Sequence, residues 1–173
     1  MNSIASSEFE AFLFELHQKR PFLWQIRLAR QVCEQGWPKV IDLPTASGKT
    51  ACIDIALFAL AVRGNDAPRR IFFVIDRRVI VSEAHKRAKK MAQAFREPQG
   101  ATVREVADRL RELAGGESAL DTYELRGGVF RDERWVRTPL QPAMIASTVD
   151  QLGSRVLFRG YGISEHSWPC TPG

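Results

Sequence analysis

The chain has 173 residues, which suits one domain, and its 25 Lys and Arg against 20 Asp and Glu give a net charge of +5 that favours polyanionic partners. Its hydrophobic fraction of 45% is sufficient for a buried core. A membrane span is not expected, because no apolar run reaches the roughly 18 residues that one needs, and the N-terminus lacks the basic region and apolar core of a signal peptide.

Two amphipathic helices are predicted in the first 38 residues. The first covers about residues 8–18. Ser7 and Glu10, at its start, have the spacing of a capping box. The second begins at Trp24 and ends near Gly36. Residues 40–43 are then predicted to form a short buried strand, and the segment that follows it opens a strongly helical run at residues 51–60.

The remainder of the chain alternates short apolar strands with helices. Strands are predicted at residues 71–75, 123–125 and 142–147, and helices at 78–95, 102–114 and from 148 to about 158. The first of these strands is continuously apolar, as expected for a strand that is covered on both faces. The alternation predicts an α/β domain, residues 39–159, with a mainly parallel sheet sandwiched by helices. N-terminal helices over 1–38 precede it, and an irregular tail over 160–173 follows.

The cysteines and histidines form no zinc or redox motif. The cysteines are Cys33, Cys52 and Cys170, and the histidines are His17, His85 and His166. The first two cysteines fall on apolar helix faces and are expected to be buried thiols in a reducing, cytoplasmic compartment. The histidines are scattered, so that surface or packing roles are expected for them.

The segment Pro44–Thr50 has the layout of a phosphate-binding loop. Its small residues allow backbone N–H groups to close around phosphate oxygens, and the helix N-terminus adds further donors. In this arrangement Lys49 reaches the β- and γ-phosphates of ATP, and the Thr50 hydroxyl holds Mg²⁺. Leu43 stands where the usual pattern has its first glycine, so that an ordinary strand–turn–helix is the alternative. The predicted nucleotide-binding residues of this loop are Thr45, Ala46, Ser47, Gly48, Lys49 and Thr50.

Gln25 is a candidate for reading the adenine base. Its amide presents a donor and an acceptor together, which match the N6 amine and N7 of adenine. In the alternative interpretation, Phe22 and Trp24 are core anchors and Gln25 is a solvated helix residue.

Polar segments follow three predicted strands. They are Asp76-Arg77-Arg78, Arg126-Gly127-Gly128 and Thr148-Val149-Asp150-Gln151. Because ligands of parallel sheets bind at the carboxyl ends of the strands, these segments and the phosphate loop are expected to share one edge. Phosphate contact is predicted for all three segments. The alternatives are a metal-ordering role for Asp76 or a solvated helix start in its segment, and an ordinary turn at Gly127-Gly128. A helix cap at Thr148 is compatible with its phosphate contact.

Several of these segments together resemble a known family of helicases. The segments are Pro21–Gln25, Asp42–Thr50, Phe72–Val79, Leu125–Val129 and Ser147–Gln151. They are similar to the superfamily 2 helicase part of the CRISPR-associated helicase–nuclease of type I systems, most of all to its type I-U, or I-G, branch. The likeness spans about residues 20–168.

The resemblance implies a RecA-like P-loop domain that binds ATP and Mg²⁺. In the family this domain moves along single-stranded DNA that an RNA-guided type I surveillance complex has displaced. Lys49 and Thr50 would be catalytic, Thr50 would bind the metal, and Gln25 would bind adenine. The DNA-contacting residues that it implies are Arg77, Arg78, Arg126, Gly127, Thr148 and Gln151.

The chain also departs from the family. The apolar strand ending in Asp-Glu-Ala-His is absent, as are the second RecA-like domain and the nuclease. Asp132-Glu133 has no apolar strand before it, and a solvated loop is expected there. An incomplete, truncated fragment is therefore predicted, which binds nucleotide weakly and hydrolyses it little or not at all, because hydrolysis needs groups from an opposing domain.

Three functional hypotheses follow. The first is the N-terminal part of an ATP-dependent DNA helicase. The second is a catalytically silent remnant that binds nucleic acid. The third is a small kinase or nucleotidase that uses Asp76 as its metal-binding acid.

Overall fold

A computed structural model describes residues 4–116, 118–125 and 139–156 of the chain. The helices are α1 (Phe9–His17), α2 (Leu23–Gln35), α3 (Cys52–Arg63), α4 (Arg78–Arg96), α5 (Ala101–Ala114) and α6 (Val149–Val156). The strands are β1 (Arg70–Ile75), β2 (Asp121–Leu125) and β3 (Ala143–Thr148). Short 3₁₀ turns lie at Ser6–Glu8, Lys49–Ala51 and Gly64–Asp66. The helices predicted at 8–18, 78–95 and 102–114 are confirmed to within one residue at each end.

Helix α4 shows how the apolar periodicity directs packing. Its residues at helical spacing, Val81, Ala84, Ala88, Met91 and Phe95, are all fully buried, as the pattern predicts. The opposite face of the helix is basic and solvated. With its apolar face, α4 covers one face of the sheet.

In the described part of the chain the sheet is small and entirely parallel, with β3 between β1 and β2. Phe72 of β1 and Tyr123 of β2 both lie opposite Ile145 of β3. All six residues of β3 are buried. Side chains of this strand alternate between two apolar clusters, Met144 and Ala146 in the larger one and Ala143 and Ile145 in the smaller one. The chain is therefore a mixed α/β fold with a three-stranded parallel sheet flanked by helices.

The prediction that residues 71–75 are covered on both faces is wrong. The side chain of Phe72 remains 38% exposed, and the other residues of β1 are only partly buried. Among the described strands β1 pairs with β3 alone and so lies at an edge. The strand covered on both faces is β3, whose central place in the sheet is not visible in local sequence.

The strand predicted at residues 40–43 is also absent. This segment is an irregular connection in which Val40 is 79% exposed, and only Ile41 packs against the main core. A strand requires a hydrogen-bonded neighbour, and none of the described strands pairs with residues 40–43. The Pro44–Thr50 loop is therefore not carried by the sheet.

Helix α3, which follows that loop, is the centre of the main core. Residues Ile53–Ala61 are all buried, and Phe58 packs against Phe9 and Phe12 of α1 with ring centroids 5.5 and 5.3 Å away. A helix that is apolar on all sides is expected to be buried in this way. Its first turn is thereby held rigidly beside α1 and α2.

The capping interaction before α1 differs from the predicted one. The Ala5 N–H donates to the Glu8 carboxylate at 2.7 Å, two residues before the predicted Ser7 and Glu10 pair. Of the helices in the described ranges, none combines the length and apolar character needed to cross a membrane.

Candidate functional site

The Pro44–Thr50 loop is held by the first turn of α2. The Trp24 indole N–H donates to the Ser47 carbonyl at 3.0 Å, and the Gln25 amide donates to the Gly48 carbonyl at 3.2 Å. The Gln25 amide oxygen accepts a hydrogen bond from the Phe22 N–H at 2.9 Å. Two consecutive carbonyls of the loop are thus fixed against α2.

The burial of Gln25 bears on its two predicted roles, an adenine-reading side chain or a solvated helix residue. Its side chain is only 4% exposed, so that the solvated alternative for Gln25 is wrong. Phe22 is 58% exposed, so that its expected role as a core anchor is also wrong, whereas Trp24 does pack against the core. One N–H and one lone pair of the Gln25 amide are used by Gly48 and Phe22. A primary amide offers a second of each.

The loop backbone turns through left-handed conformations at Ala46, with φ of 61°, and at Gly48, with φ of 78°. Gly48 also lies against Phe22 and Gln25, because a Cβ atom there would be 3.0 Å from the Gln25 amide nitrogen and 3.2 Å from the Phe22 ring. A glycine is required at this position for both reasons. Ala46 carries a side chain in a conformation that glycine favours, which stores strain in the loop.

A cleft of about 400 Å³ lies between this loop, α2 and α4. Gln25, Gly48 and Thr50 all line it, together with the exposed ring of Phe22. The structure therefore brings the predicted adenine reader, the loop glycine and the predicted metal-binding hydroxyl to one cavity.

Other predicted loop residues lie outside the cleft. Thr45, Ala46 and Lys49 are exposed, and Lys49 is not among the residues that line the cavity. Ser47 is half-buried and contributes its carbonyl to the Trp24 hydrogen bond. Lys49 opens the 3₁₀ turn from which α3 continues, as expected for a residue at the helix N-terminus.

A buried ionic cluster stands next to the cleft, and the sequence interpretation missed it. The fully buried Asp54 carboxylate accepts a hydrogen bond of 2.7 Å from the Arg87 Nε and lies 2.6 Å from the His17 Nε2. Asp54 belongs to α3, His17 ends α1 and Arg87 is on α4. A carboxylate inside an otherwise apolar helix is the signal that such partners exist, since a buried charge requires pairing. Their positions in the chain could not be inferred from it.

Most of the ligands for a Mg²⁺ ion in this cleft would have to come from a bound nucleotide. Mg²⁺ prefers oxygen ligands and usually one or two carboxylates in addition to phosphates. Of the described residues that line the cleft, none is acidic, and both Asp54 oxygens are engaged with His17 and Arg87. Thr50 is the side-chain oxygen ligand that the cleft offers, so that a metal would be held mainly by the phosphates of its nucleotide.

The segments after β1 and β3 lie at one edge of the sheet, as predicted, since Ile75 and Thr148 are paired in register. The charge of Arg78 reaches Asp150 across this edge. The pKa of the Asp150 carboxyl is held below its usual range, chiefly by the Thr148 side chain and in part by Arg78. The expectation that the Pro44–Thr50 loop follows a strand at this edge is wrong.

The predicted nucleic-acid residues differ in accessibility. Arg77 and Arg78 are exposed, whereas Thr148 is 2% and Gln151 is 9% exposed. Asp76 is exposed at the end of β1. The predicted contacts of Arg126 and Gly127, and the Asp132-Glu133 loop, lie outside the described residues.

The remaining histidine and cysteine predictions have mixed outcomes. Cys33 is buried, as expected, and Cys52 is only half-buried. His85 is not a surface residue, because its Nδ1 lies 3.2 Å from the Glu124 carboxylate and both side chains are largely buried. Among the described residues, no group of His, Cys, Asp and Glu is arranged to hold a metal ion.

Comparison of the chain with protein-family models, with curated proteins and with solved structures gave no significant match.

Proposed function

We propose that the chain is a nucleotide-binding domain that binds ATP in the cleft beside the Pro44–Thr50 loop. The observation that carries the proposal is the meeting of Gln25, Gly48 and Thr50 in one cavity of about 400 Å³. The resemblance assigned adenine, phosphate and metal contacts to these residues, which lie up to 25 positions apart (50 − 25).

The mouth of the cleft suits the base of the nucleotide. The Phe22 ring is exposed beside Gly48 and offers a face on which adenine can stack, an interaction of roughly 1–3 kcal/mol per base. The second N–H and the second lone pair of Gln25 provide the hydrogen bonds that would select adenine. Gln25 thus both holds the loop and reads the base.

The loop suits the phosphates. The positive φ of Gly48 and the short turn at Lys49–Ala51 expose backbone donors at the start of α3. Lys49 is exposed and has a long flexible side chain, so that its ammonium can move onto a phosphate when the ligand binds. Thr50 would share Mg²⁺ with the phosphates. The chemistry that the chain supplies here is binding and orientation, with no described carboxylate in the cleft to position a water.

We propose further that this domain is the RecA-like N-terminal part of a DNA helicase of the CRISPR type I kind. The support is the set of resembling segments together with a parallel sheet whose strand ends carry Arg77 and Arg78. These exposed guanidinium groups suit the phosphates of single-stranded DNA. Thr148 and Gln151 are buried, so that their contribution is to position the segment after β3.

The exposed Arg77 and Arg78 also favour a second candidate, a nucleic-acid-binding domain without ATPase activity. Exposed Arg77 and Arg78 would serve both functions, and no described residue supplies a hydrolytic carboxylate to the cleft. The second candidate binds nucleic acid with no ATP in the cleft, so that a measurement of ATP binding distinguishes the two.

Calorimetric titration of the purified chain with Mg²⁺-ATP tests the proposal. Lys49→Ala is expected to weaken ATP binding by about tenfold or more, since it removes a charge-assisted contact. Lys39→Ala, which changes another exposed lysine before the loop, is the matched control and should leave the affinity unchanged. Wild-type affinity in Lys49→Ala would overturn the nucleotide site. Single-stranded DNA affinity that persists in the Arg77→Ala, Arg78→Ala double variant would overturn the DNA contact.

A further inference from the structure

Four of the residues that line the cleft are cations. Lys19 and Arg20 come from the connection between α1 and α2, and Arg87 and Lys90 come from α4. Of the described residues that line this cavity, none is a carboxylate. The sequence predictions assigned no role to any of these four residues.

Arg87 is paired with the buried Asp54, whereas Lys19, Arg20 and Lys90 are exposed side chains that add positive charge to the same cavity. An open groove between low-dielectric walls concentrates the field of these charges and attracts anions. The cleft is therefore selective for a negatively charged ligand.

The buried Asp54 carboxylate orients one of these cations. It binds the Nε of Arg87 at 2.7 Å, while the Arg87 side chain stays 27% exposed. The Nε edge is thus turned inward, and the two terminal amino groups of the guanidinium carry four further N–H donors. On its other oxygen Asp54 binds His17, which also lines the cleft. The fully buried Asp54 therefore holds two cavity-lining residues, His17 and Arg87, in fixed positions.

The donor set identifies the class of anion. A guanidinium held at one edge presents a planar fork of N–H donors. This fork matches two oxygens of a phosphate better than it matches a single halide ion. Lysine ammonium groups add point charges that suit several phosphate oxygens at once. The cavity of about 400 Å³ is large enough for more than one phosphate group.

We propose that Arg87 and Lys90, with Lys19 and Arg20, form an oligophosphate subsite that binds the terminal phosphates in this cleft. The inference rests on the proposed nucleotide function, whose Thr50 lines the same cleft, and it names the part of the ligand that α4 contacts. Asp54 is a positioning residue for this subsite, since it acts through Arg87. A nucleoside triphosphate and a free inorganic oligophosphate share this chemistry.

Titrations with ATP, AMP and inorganic tripolyphosphate on the full chain separate these sources. Lys90→Ala and Arg87→Ala are each expected to weaken ATP and tripolyphosphate binding by about tenfold, with AMP affected less than about twofold. Loss for tripolyphosphate alone would assign the subsite to a free oligophosphate. Lys86→Ala, which changes an exposed lysine of α4 outside the cleft, is the control and should match wild type.

Thermal unfolding of each variant keeps the test independent of folding. Arg87→Ala leaves the buried Asp54 with His17 as its remaining partner and should lower the melting temperature, whereas Lys90 is exposed and its removal should not. Wild-type affinities for ATP and tripolyphosphate in Lys90→Ala and in folded Arg87→Ala overturn the subsite. If Lys49→Ala still abolishes ATP binding in that case, the proposed function stands. If Lys49→Ala is silent and Lys90→Ala weakens tripolyphosphate binding, the subsite stands and the loop's role falls.

Discussion

The side-chain amide of Gln25 donates a hydrogen bond of 3.2 Å to the backbone carbonyl of Gly48. This contact ties the first turn of α2 to the turn that precedes α3. Because Gln25 is buried and its oxygen also accepts from the Phe22 N–H, one residue fixes both the helix start and the loop. The shape of the cleft therefore depends on this amide before any ligand is bound.

Removing the amide should loosen the loop in the free protein. Gln25→Ala is expected to lower stability by about 1–2 kcal/mol, since two hydrogen bonds are lost at a buried position. For a chain of this size, that corresponds to a fall of roughly 2–8 °C in melting temperature. Differential scanning calorimetry without nucleotide measures it. Gln31→Ala, at an exposed position of the same helix, should change the melting temperature by less than about 1 °C. An equal shift in the two variants would refute the coupling.

Ala46 is a position where glycine should be more stable than alanine. Its φ of 61° costs an L-residue roughly 1–2 kcal/mol, while a glycine adds only about 0.5–1 kcal/mol of unfolded-state entropy. Ala46→Gly is therefore expected to stabilise the chain by about 0.5–1 kcal/mol in urea unfolding. At the neighbouring exposed Thr45, whose φ is not positive, Thr45→Gly should destabilise it instead. Destabilisation by Ala46→Gly would show that the loop adopts another conformation.

The Glu15 carboxylate caps the N-terminus of α5 from α1. It accepts hydrogen bonds from the Val103 N–H at 2.8 Å and the Thr102 N–H at 3.3 Å, and a Cβ atom on Gly100 would lie 2.1 Å from it. Gly100→Ala should therefore displace the cap and cost about 1–2 kcal/mol.

A double-mutant cycle isolates this cause. Once Glu15→Ala has removed the carboxylate, Gly100→Ala should add almost nothing, so that the two losses are not additive. Gly116→Ala, where an added Cβ has no neighbour within 4 Å, serves as the control in the same urea titrations. Additive losses from Glu15→Ala and Gly100→Ala would count against the proposed collision.

The Cys33 thiol should react slowly in the folded chain. Burial, with a smaller contribution from Glu34, raises its pKa from 9.0 to about 11, against a lowering effect of Arg63. A raised pKa reduces the thiolate at any lower pH, and a rise from 9 to 11 reduces it by about a hundredfold. Alkylation at about pH 8, followed at this peptide by mass spectrometry, should be about a hundredfold slower in buffer than in urea. Equal rates in buffer and urea would show that Cys33 is accessible and ionises normally.

Local pattern was sufficient for most of the elements. The apolar face of α4 and the all-apolar α3 were readable because helical packing depends on spacings within one segment. Sheet position was not readable, because a run such as Ile71–Ile75 has the same composition at an edge as in the centre. Residues 40–43 show the same limit, since an apolar segment becomes a strand only beside a partner.

The candidate site was predictable to a similar extent. Sequence patterns predicted Gln25, Gly48 and Thr50 as nucleotide-binding residues. In the structure, all three line one cleft. The sequence could not indicate the contact between Arg87 and Asp54 beside this cleft, because that contact joins α4 to α3 over 33 positions. Long-range ionic contacts leave at most a local anomaly in the sequence, which here is Asp54 among apolar residues.

The central claim is that a nucleotide occupies the cleft beside the Pro44–Thr50 loop. Titration of the ¹⁵N-labelled chain with Mg²⁺-ATP, followed by amide chemical shifts, locates the ligand residue by residue. Saturable shifts are expected at Gly48, Lys49 and Thr50 and at the Gln25 side-chain amide, and Lys49→Ala should need about tenfold or more ATP to reach them. An unchanged spectrum at saturating ATP, or shifts confined to residues remote from the cleft, would contradict the claim.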